Sequence, residues 1–302
     1  MEIGSQPLVS YLIITNNRKH DLQEAVASVL NQDWTPIEIV IVDNNSTDGT
    51  REMIRAKFDD HNINYIRLTE NRGVSGGRNV SIAAAKGDIL ITMDDDAVIG
   101  DANATAKIVK RFSEDPDVDV LTFKIVDYFT GELQRSAFPT RDKSTSSDRE
   151  FETSRFQGGG HAIPRRIYDE VGLYADYFPY AHEELDLSLR ILDAGFRILF
   201  FPEVVIYHKI KEKRRKRLSG RWSIILENRI KVAIRNLPWI YVLSTGLSWS
   251  LRTLADCRGD FGPVLKAWWS LWQQRVKLKH ERHPIKKETI RRVRRLRGPL
   301  FY

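Results

Sequence analysis

Two rhythms of hydrophobic positions run along this chain. Short, mostly apolar runs rich in β-branched residues recur at Val9 to Thr15, Glu38 to Asp43, Asn64 to Leu68, Ile89 to Met93 and Val118 to Ile125, and they read as strands. Between them Asp21 to Asn31, Thr50 to Asp59, Gly76 to Ala85 and Asn103 to Asp115 read as helices. The alternation predicts an α/β fold through about residue 125: a Rossmann-like, doubly wound, mainly parallel sheet covered on both faces. Ligands in such sheets bind beyond the carboxyl ends of the strands, so the residues that end the runs carry the chemistry. Arg135 to Arg155 is rich in Ser, Thr and Arg without periodicity, which predicts a mobile loop. Gly158, Gly159 and Gly160 follow and permit a close backbone approach, to a ligand or to a neighbouring strand.

Charge then divides the chain. Residues 1 to 205 carry 22 Lys and Arg against 34 Asp and Glu, a balance of −12; residues 206 to 302 carry 25 against 6, a balance of +19. Six of the seven tryptophans also lie in the basic part, from Trp222 to Trp272. Cations interleaved with amphipathic rings suit an anionic membrane surface. The same composition suits nucleic acid, or a solvated helical tail whose tryptophans pack on the main domain, and the run from Lys209 to Arg217 alone reads as a linker. Leu237 to Leu251 is apolar but only 15 residues long and interrupted by Ser244, Thr245, Gly246 and Ser248, so it is expected on a membrane rather than through one. Met1 to Pro7 is polar and Leu8 opens a strand, which predicts no secretory leader. The single Cys257 fits a reducing compartment.

Asp94, Asp95 and Asp96 end the Ile89 to Met93 run, and adjacent carboxylates at a strand end suit a hard divalent cation; an acidic turn is the plainer alternative. Asp43 ends the run from Glu38, which would put it on the same rim. The turn from Asn71 to Asn79 places glycines before a helix and offers backbone N–H groups and the Arg72 and Arg78 side chains to an anion; a purely structural turn fits it equally. Glu183 and Glu184 open a helix whose Leu185, Leu189 and Leu192 face a core. They suit the helix dipole, or a general base beside a phosphorylated donor. His208 ends a further strand and can be structural or complete an oxygen-rich metal site.

In their order and spacing, over roughly residues 8 to 208, these segments resemble glycosyltransferase family 2, inverting enzymes of the glycosyltransferase-A fold. The resemblance implies that Thr15 and Asn16 line a nucleotide pocket, that Asp43 bonds the base and that Arg78 approaches the diphosphate. It further implies that Asp94 and Asp95 serve the nucleotide sugar, and that Asp96 with His208 ligates Mg²⁺ or Mn²⁺. Gly159 and Gly160 fall on the acceptor side. The family's acceptor base is the Asp of a Glu-Asp pair; Glu184, one methylene longer, stands there beside Glu183. The donor implied is a UDP- or dTDP-sugar. With only Leu218-Ser219-Gly220-Arg221-Trp222 where the processive branch carries Gln-x-x-Arg-Trp, transfer of a single sugar is expected. The segment Glu227 to Pro238 is similar to rhamnosyltransferase-like enzymes of surface polysaccharides, which implies a glycan or lipid-linked acceptor at the cytoplasmic membrane face. Two domains are expected, 1 to 208 catalytic and 209 to 302 basic, helical and membrane-associating, with no nucleic acid as partner. The competing functions are nucleotidyl transfer onto a sugar phosphate, which would want a glycine-rich loop absent from Thr15 to Lys19, and a non-catalytic adaptor built on the basic tail.

Overall fold

A computed structural model describes residues 6–140, 142, 144–209 and 221–300. Most of the expected linker and of the Leu218 to Trp222 segment therefore lie outside the described residues. The chain begins with a strand-helix alternation: β1 (Val9–Thr15), α1 (Lys19–Leu30), β2 (Ile37–Asp43), α2 (Thr50–Phe58), β3 (Ile63–Arg67), α3 (Gly73–Ala84) and β4 (Ile89–Asp94). It continues through β5 (Ala97–Ile99), α4 (Ala104–Glu114), β6 (Val120–Asp127), β7 (Phe151–Thr153), β8 (Gly160–Pro164), α5 (Arg165–Val171), α6 (Glu183–Asp193) and β9 (Ile198–His208). Among the described residues five helices follow: α7 (Trp222–Asn236), α8 (Trp239–Asp256), α9 (Gly262–Gln273), α10 (Arg275–His280) and α11 (Lys287–Arg295).

The described residues form a nine-stranded sheet in the order β3-β2-β1-β4-β8-β6-β9-β5, with β7 beside β9. The first four strands are parallel, as the continuous apolar runs predict. Beyond β4 the sheet is mixed, because β8 runs antiparallel between β4 and β6. Alternation along each strand feeds two cores. Val9, Tyr11 and Ile13 join one with α1, α2 and α4, while Leu12 and Val40 join the other with α3, α5 and α6.

One expectation is corrected here. The described part of 135 to 155 is not a free loop: Phe151 pairs with Phe200 across β7 and β9, and the rings of Phe138 and Phe151 sit 5.2 and 4.9 Å from that of Phe200. A few aromatics among polar residues suffice to hold these positions down. The described helices beyond 221 share a core with the sheet. Val232, Ala233, Tyr241, Ile290 and Val293 share the second core with α6 and β4, and Asn236 Nδ2 donates to Asp186 Oδ1 at 2.7 Å. Only the outer end of the tail, where α7, α8 and α9 meet, has a cluster of its own around Leu226, Trp249 and Leu271.

Candidate active site

Parallel pairing brings three strand ends to one edge, with Thr15 opposite Asp43 and Ile14 opposite Asp94. The chain then turns through Asp95 and Asp96 into β5, whose Ala97 pairs with His208 at the end of β9. That short antiparallel pairing, which no periodicity revealed, is what carries His208 to the aspartates. Its Nε2 lies 3.2 Å from Asp96 Oδ1 and 3.9 Å from Asp94 Oδ2. One ligand atom from each of Asp94, Asp96 and His208 falls within 4.8 Å of the others. His208 Nδ1 is 2.9 Å from Gln134 Oε1. When that amide oxygen accepts from Nδ1–H, the Nε2 lone pair is left for a cation between the ring and the carboxylates, as with an outer-shell partner of a ligating histidine. Two carboxylates and a neutral imidazole fit a divalent ion such as Mg²⁺ or Mn²⁺.

Asp95 serves differently from its neighbours. Thr15 Oγ1 donates to its Oδ2 at 2.7 Å, and Arg18 Nη1 bridges its Oδ1 at 3.1 Å and Asp96 Oδ2. Burial pushes the Asp95 carboxyl up to about 7 against the pull of Arg18, with Asp96 adding to the push. Arg18 therefore offsets like charge that the turn concentrates. Sequence reading missed it; a cation three residues beyond the first strand was the available signal.

Two cavities open on this rim. One, of about 250 Å³, is lined by Thr15, Asn16, Arg18, Asn44, Asp94 and Asp95 among others. The second, of about 290 Å³, is lined by Arg78, Gly159, Glu183, Glu184 and His208 among others, and shares Ile14, Val74, Asp94 and Tyr180 with the first. Asp94 thus stands between the first cavity and the glutamates.

Asp43 is not on either wall. It is 1% exposed, and its carboxylate accepts from Ser46 N at 2.7 Å and from the Tyr65 hydroxyl. Those bonds fold the turn that presents Asn44 instead. Arg78 is buried as well: Nη1 donates to Glu183 Oε1 at 2.9 Å, Nη2 donates to the Gly158 carbonyl at 2.9 Å, and Asp94 is 3.8 Å away. It ties the metal-type cluster to the glutamate pair.

The three glycines are explained by protein neighbours. A Cβ on Gly158 would lie 2.8 Å from Arg78 Nη2, and one on Gly159 would lie 3.0 Å from Asp94 Oδ2. Gly160 begins β8 and packs against Ile206, while Gly158 and Gly159 line the second cavity.

Glu183 and Glu184 start α6 after two left-handed residues, Ala181 and His182. Asn228 of α7 secures that turn by donating to the carbonyls of Tyr180 and Ala181 at 2.7 and 3.2 Å. Burial first, and the Glu184 carboxylate next, push the Glu183 carboxyl up, while Arg78 pulls it back. Glu184 Oε2 is buried without a hydrogen-bond partner.

The family model for Glycosyl transferase family 2 matches residues 10–172, more than half of the chain, and takes in the rim through the triple glycine. The chain belongs to glycosyl transferase family 2. It is 31% identical over 169 residues to an uncharacterized protein of Haemophilus influenzae, covering 55% of this chain and 91% of that protein. Over 93 residues it is 34% identical to the GalNAc(5)-diNAcBac-PP-undecaprenol beta-1,3-glucosyltransferase of Campylobacter jejuni, covering 30% of each. The chain thus spans less than a third of that relative. Among solved structures, the mannosyltransferase PcManGT from Pyrobaculum calidifontis, in complex with GDP-Man and Mn²⁺, aligns with a TM-score of 0.62 at 20% identity, over 98% of this chain and 85% of that one. This family 2 chain therefore has the glycosyltransferase-A type of fold, helical tail included.

Among the described residues no helix is long and apolar enough to cross a membrane. The tail helices bury one face and leave another in solvent. Trp239, Leu243, Leu247, Leu265, Trp269 and Trp272 are 54 to 70% exposed, and Arg282 and Arg275 sit over the rings of Trp239 and Trp272 at 4.1 and 4.3 Å.

Proposed function

We propose that this protein is an inverting, metal-dependent glycosyltransferase that moves a single sugar from a nucleoside-diphosphate sugar to a hydroxyl of a glycan or lipid-linked acceptor. The observation that carries the reading is the meeting of Asp94, Asp96 and His208 at the junction of two cavities, one with the nucleotide-side residues and one with Glu183 and Glu184. The GDP-Man and Mn²⁺ in the mannosyltransferase of like fold support it, as does family membership.

Thr15, Asn16 and Asn44 line the side that receives the nucleoside, and Arg18 holds Asp95 and Asp96 in place. Asp94, Asp96 and His208 would hold a divalent ion, which when bound would supply positive charge to the departing diphosphate. Across the second cavity Glu184 takes the proton of the attacking hydroxyl, since Glu183 is committed to Arg78. Attack from the glutamate side, opposite the departing diphosphate, inverts the anomeric carbon. Incubation with a panel of UDP-, dTDP- and GDP-sugars, with the product anomer read by NMR, tests this. Inverted product that requires the divalent ion is expected; a retained configuration, or turnover in chelator, contradicts it.

The exposed tryptophan and leucine face, flanked by arginines, supports a peripheral seat on the anionic inner face of the cell membrane. The polyprenol diphosphate in the name of the Campylobacter relative supports a lipid-linked acceptor in a surface-polysaccharide route. Co-sedimentation with anionic vesicles is expected and is lost at high salt only in part, because the apolar face contributes independently of charge; recovery of all protein in the supernatant contradicts it.

A further inference from the structure

A third cavity, of about 810 Å³, lies next to the glutamates. It shares Ser136 with the glutamate cavity, and its wall carries His182, the residue before Glu183. Arg135, Arg155, Arg229 and Arg252 also line it, and among the described residues the one carboxylate in that lining, Asp142, is held by Arg297. Arg252 has a partial partner in Asp256 at 3.5 Å, outside the lining. Three of these arginines act on His182. Burial first, then Arg229, Arg155 and Arg252, hold its imidazole down to about 3, so the ring is neutral. Its Nε2 is buried with no hydrogen-bond partner. With Nε2 carrying the neutral ring's proton, the guanidinium and imidazole N–H groups line one cavity and can all donate to an oxyanion. Trp249 stiffens the wall, with His182 edge-on at 5.4 Å and Arg252 and Arg229 over its ring at 5.0 and 5.8 Å.

Helix α8 joins this cavity to the exposed apolar face. Trp249 and Arg252 line the cavity, whereas Leu243, Leu247 and Leu251 are 58 to 70% exposed. We propose that the cavity binds the diphosphate of a lipid-linked acceptor, whose hydrocarbon lies along Leu243, Leu247 and Leu251 and whose sugar hydroxyl is thereby presented to Glu184. The direction of presentation rests on the proposed transferase reading; the binding of the diphosphate does not.

The test uses the full chain in metal-free buffer, titrated with inorganic pyrophosphate and then with farnesyl diphosphate by calorimetry. Saturable pyrophosphate binding is expected, at least tenfold weaker in the Arg135→Ala/Arg252→Ala double variant, whose two side chains are exposed and whose thermal midpoint should match the wild type. Farnesyl diphosphate should bind at least tenfold more tightly than pyrophosphate. No pyrophosphate binding, or equal binding by the double variant, overturns the site. Equal affinity for the two probes overturns the lipid and points to a phosphorylated water-soluble glycan. A UDP-induced, Mn²⁺-dependent thermal shift is measured alongside. If that shift is absent while the pyrophosphate result holds, the transferase reading fails and the anion site stands.

Discussion

The sheet rim and the outer tail solve opposite problems with charged and apolar groups. On the rim the charges face one another: Asp95 and Asp96 hold Arg18, Arg78 holds Glu183, and Asp96 meets His208. On α8 and α9 the large apolar side chains face outward, with arginines laid over two of the tryptophans. A buried, mutually compensated cluster costs desolvation that packing alone does not demand, and an exposed tryptophan face forgoes burial that a free-standing domain would take. Under the proposed function each region serves something outside the chain, a charged ligand in one case and an apolar surface in the other. The two are not independent. Asn228 and Asn236 of the tail hold the Tyr180–Ala181 turn and Asp186, on either side of the glutamates.

Breaking the rim should have the largest effect. Asp96→Ala is expected to lower sugar transfer by on the order of a thousandfold, the scale of losing a preorganised electrostatic element, with a thermal midpoint near wild type; turnover close to wild type in the same assay would remove Asp96 from the site. Glu184→Gln should cost about a hundredfold or more in kcat while nucleotide affinity holds, the range for a general base. If Glu183→Gln is the slower enzyme, the two roles are exchanged. Arg78→Met should destabilise the fold by about 3 kcal/mol, because Glu183 is then buried without its cation, and urea unfolding reads that difference. Leu243→Glu with Leu247→Glu should cut binding to anionic vesicles by about tenfold and leave transfer to a water-soluble acceptor unchanged, which separates tail from rim.

A separate effect is one of pH. His161 is fully buried, and burial followed by the Arg78 charge lowers its pKa to about 3 from the ordinary 6.5. Below pH 6.5 the unfolded chain binds a proton that the folded chain refuses, so His161 erodes stability as pH falls toward 3, by about 1.4 kcal/mol per pH unit. His161→Gln should flatten that slope in urea titrations at pH 4 to 6.

Much of this was legible because buried parallel strands are written as continuous apolar runs. Val9 to Thr15 was read with the bounds the structure shows, and the ends of β2 and β4 within one residue. The glutamate pair stood out because acidic residues before a leucine stripe mark a helix start. What stayed hidden depended on pairing at a distance. β5, β7 and β8 are three to five residues long and take their strand form from β9, β4 and β6, so local pattern carries little of it. The burial of Asp43 and Arg78 was hidden for the same reason: Tyr65 and Glu183, which hold them, are 22 and 105 residues away. In the tail, composition announced cations and tryptophans, but only the packing of α7, α8 and α9 against one another showed which ring faces inward, as Trp249 does, and which outward.

Mn²⁺ bound to the protein, followed by electron paramagnetic resonance during a titration with UDP, addresses the central claim most directly. The account predicts one Mn²⁺ per wild-type chain, tightened by UDP and lost in both Asp96→Ala and His208→Ala. Equal Mn²⁺ occupancy in those variants, or UDP binding indifferent to the ion, would contradict it.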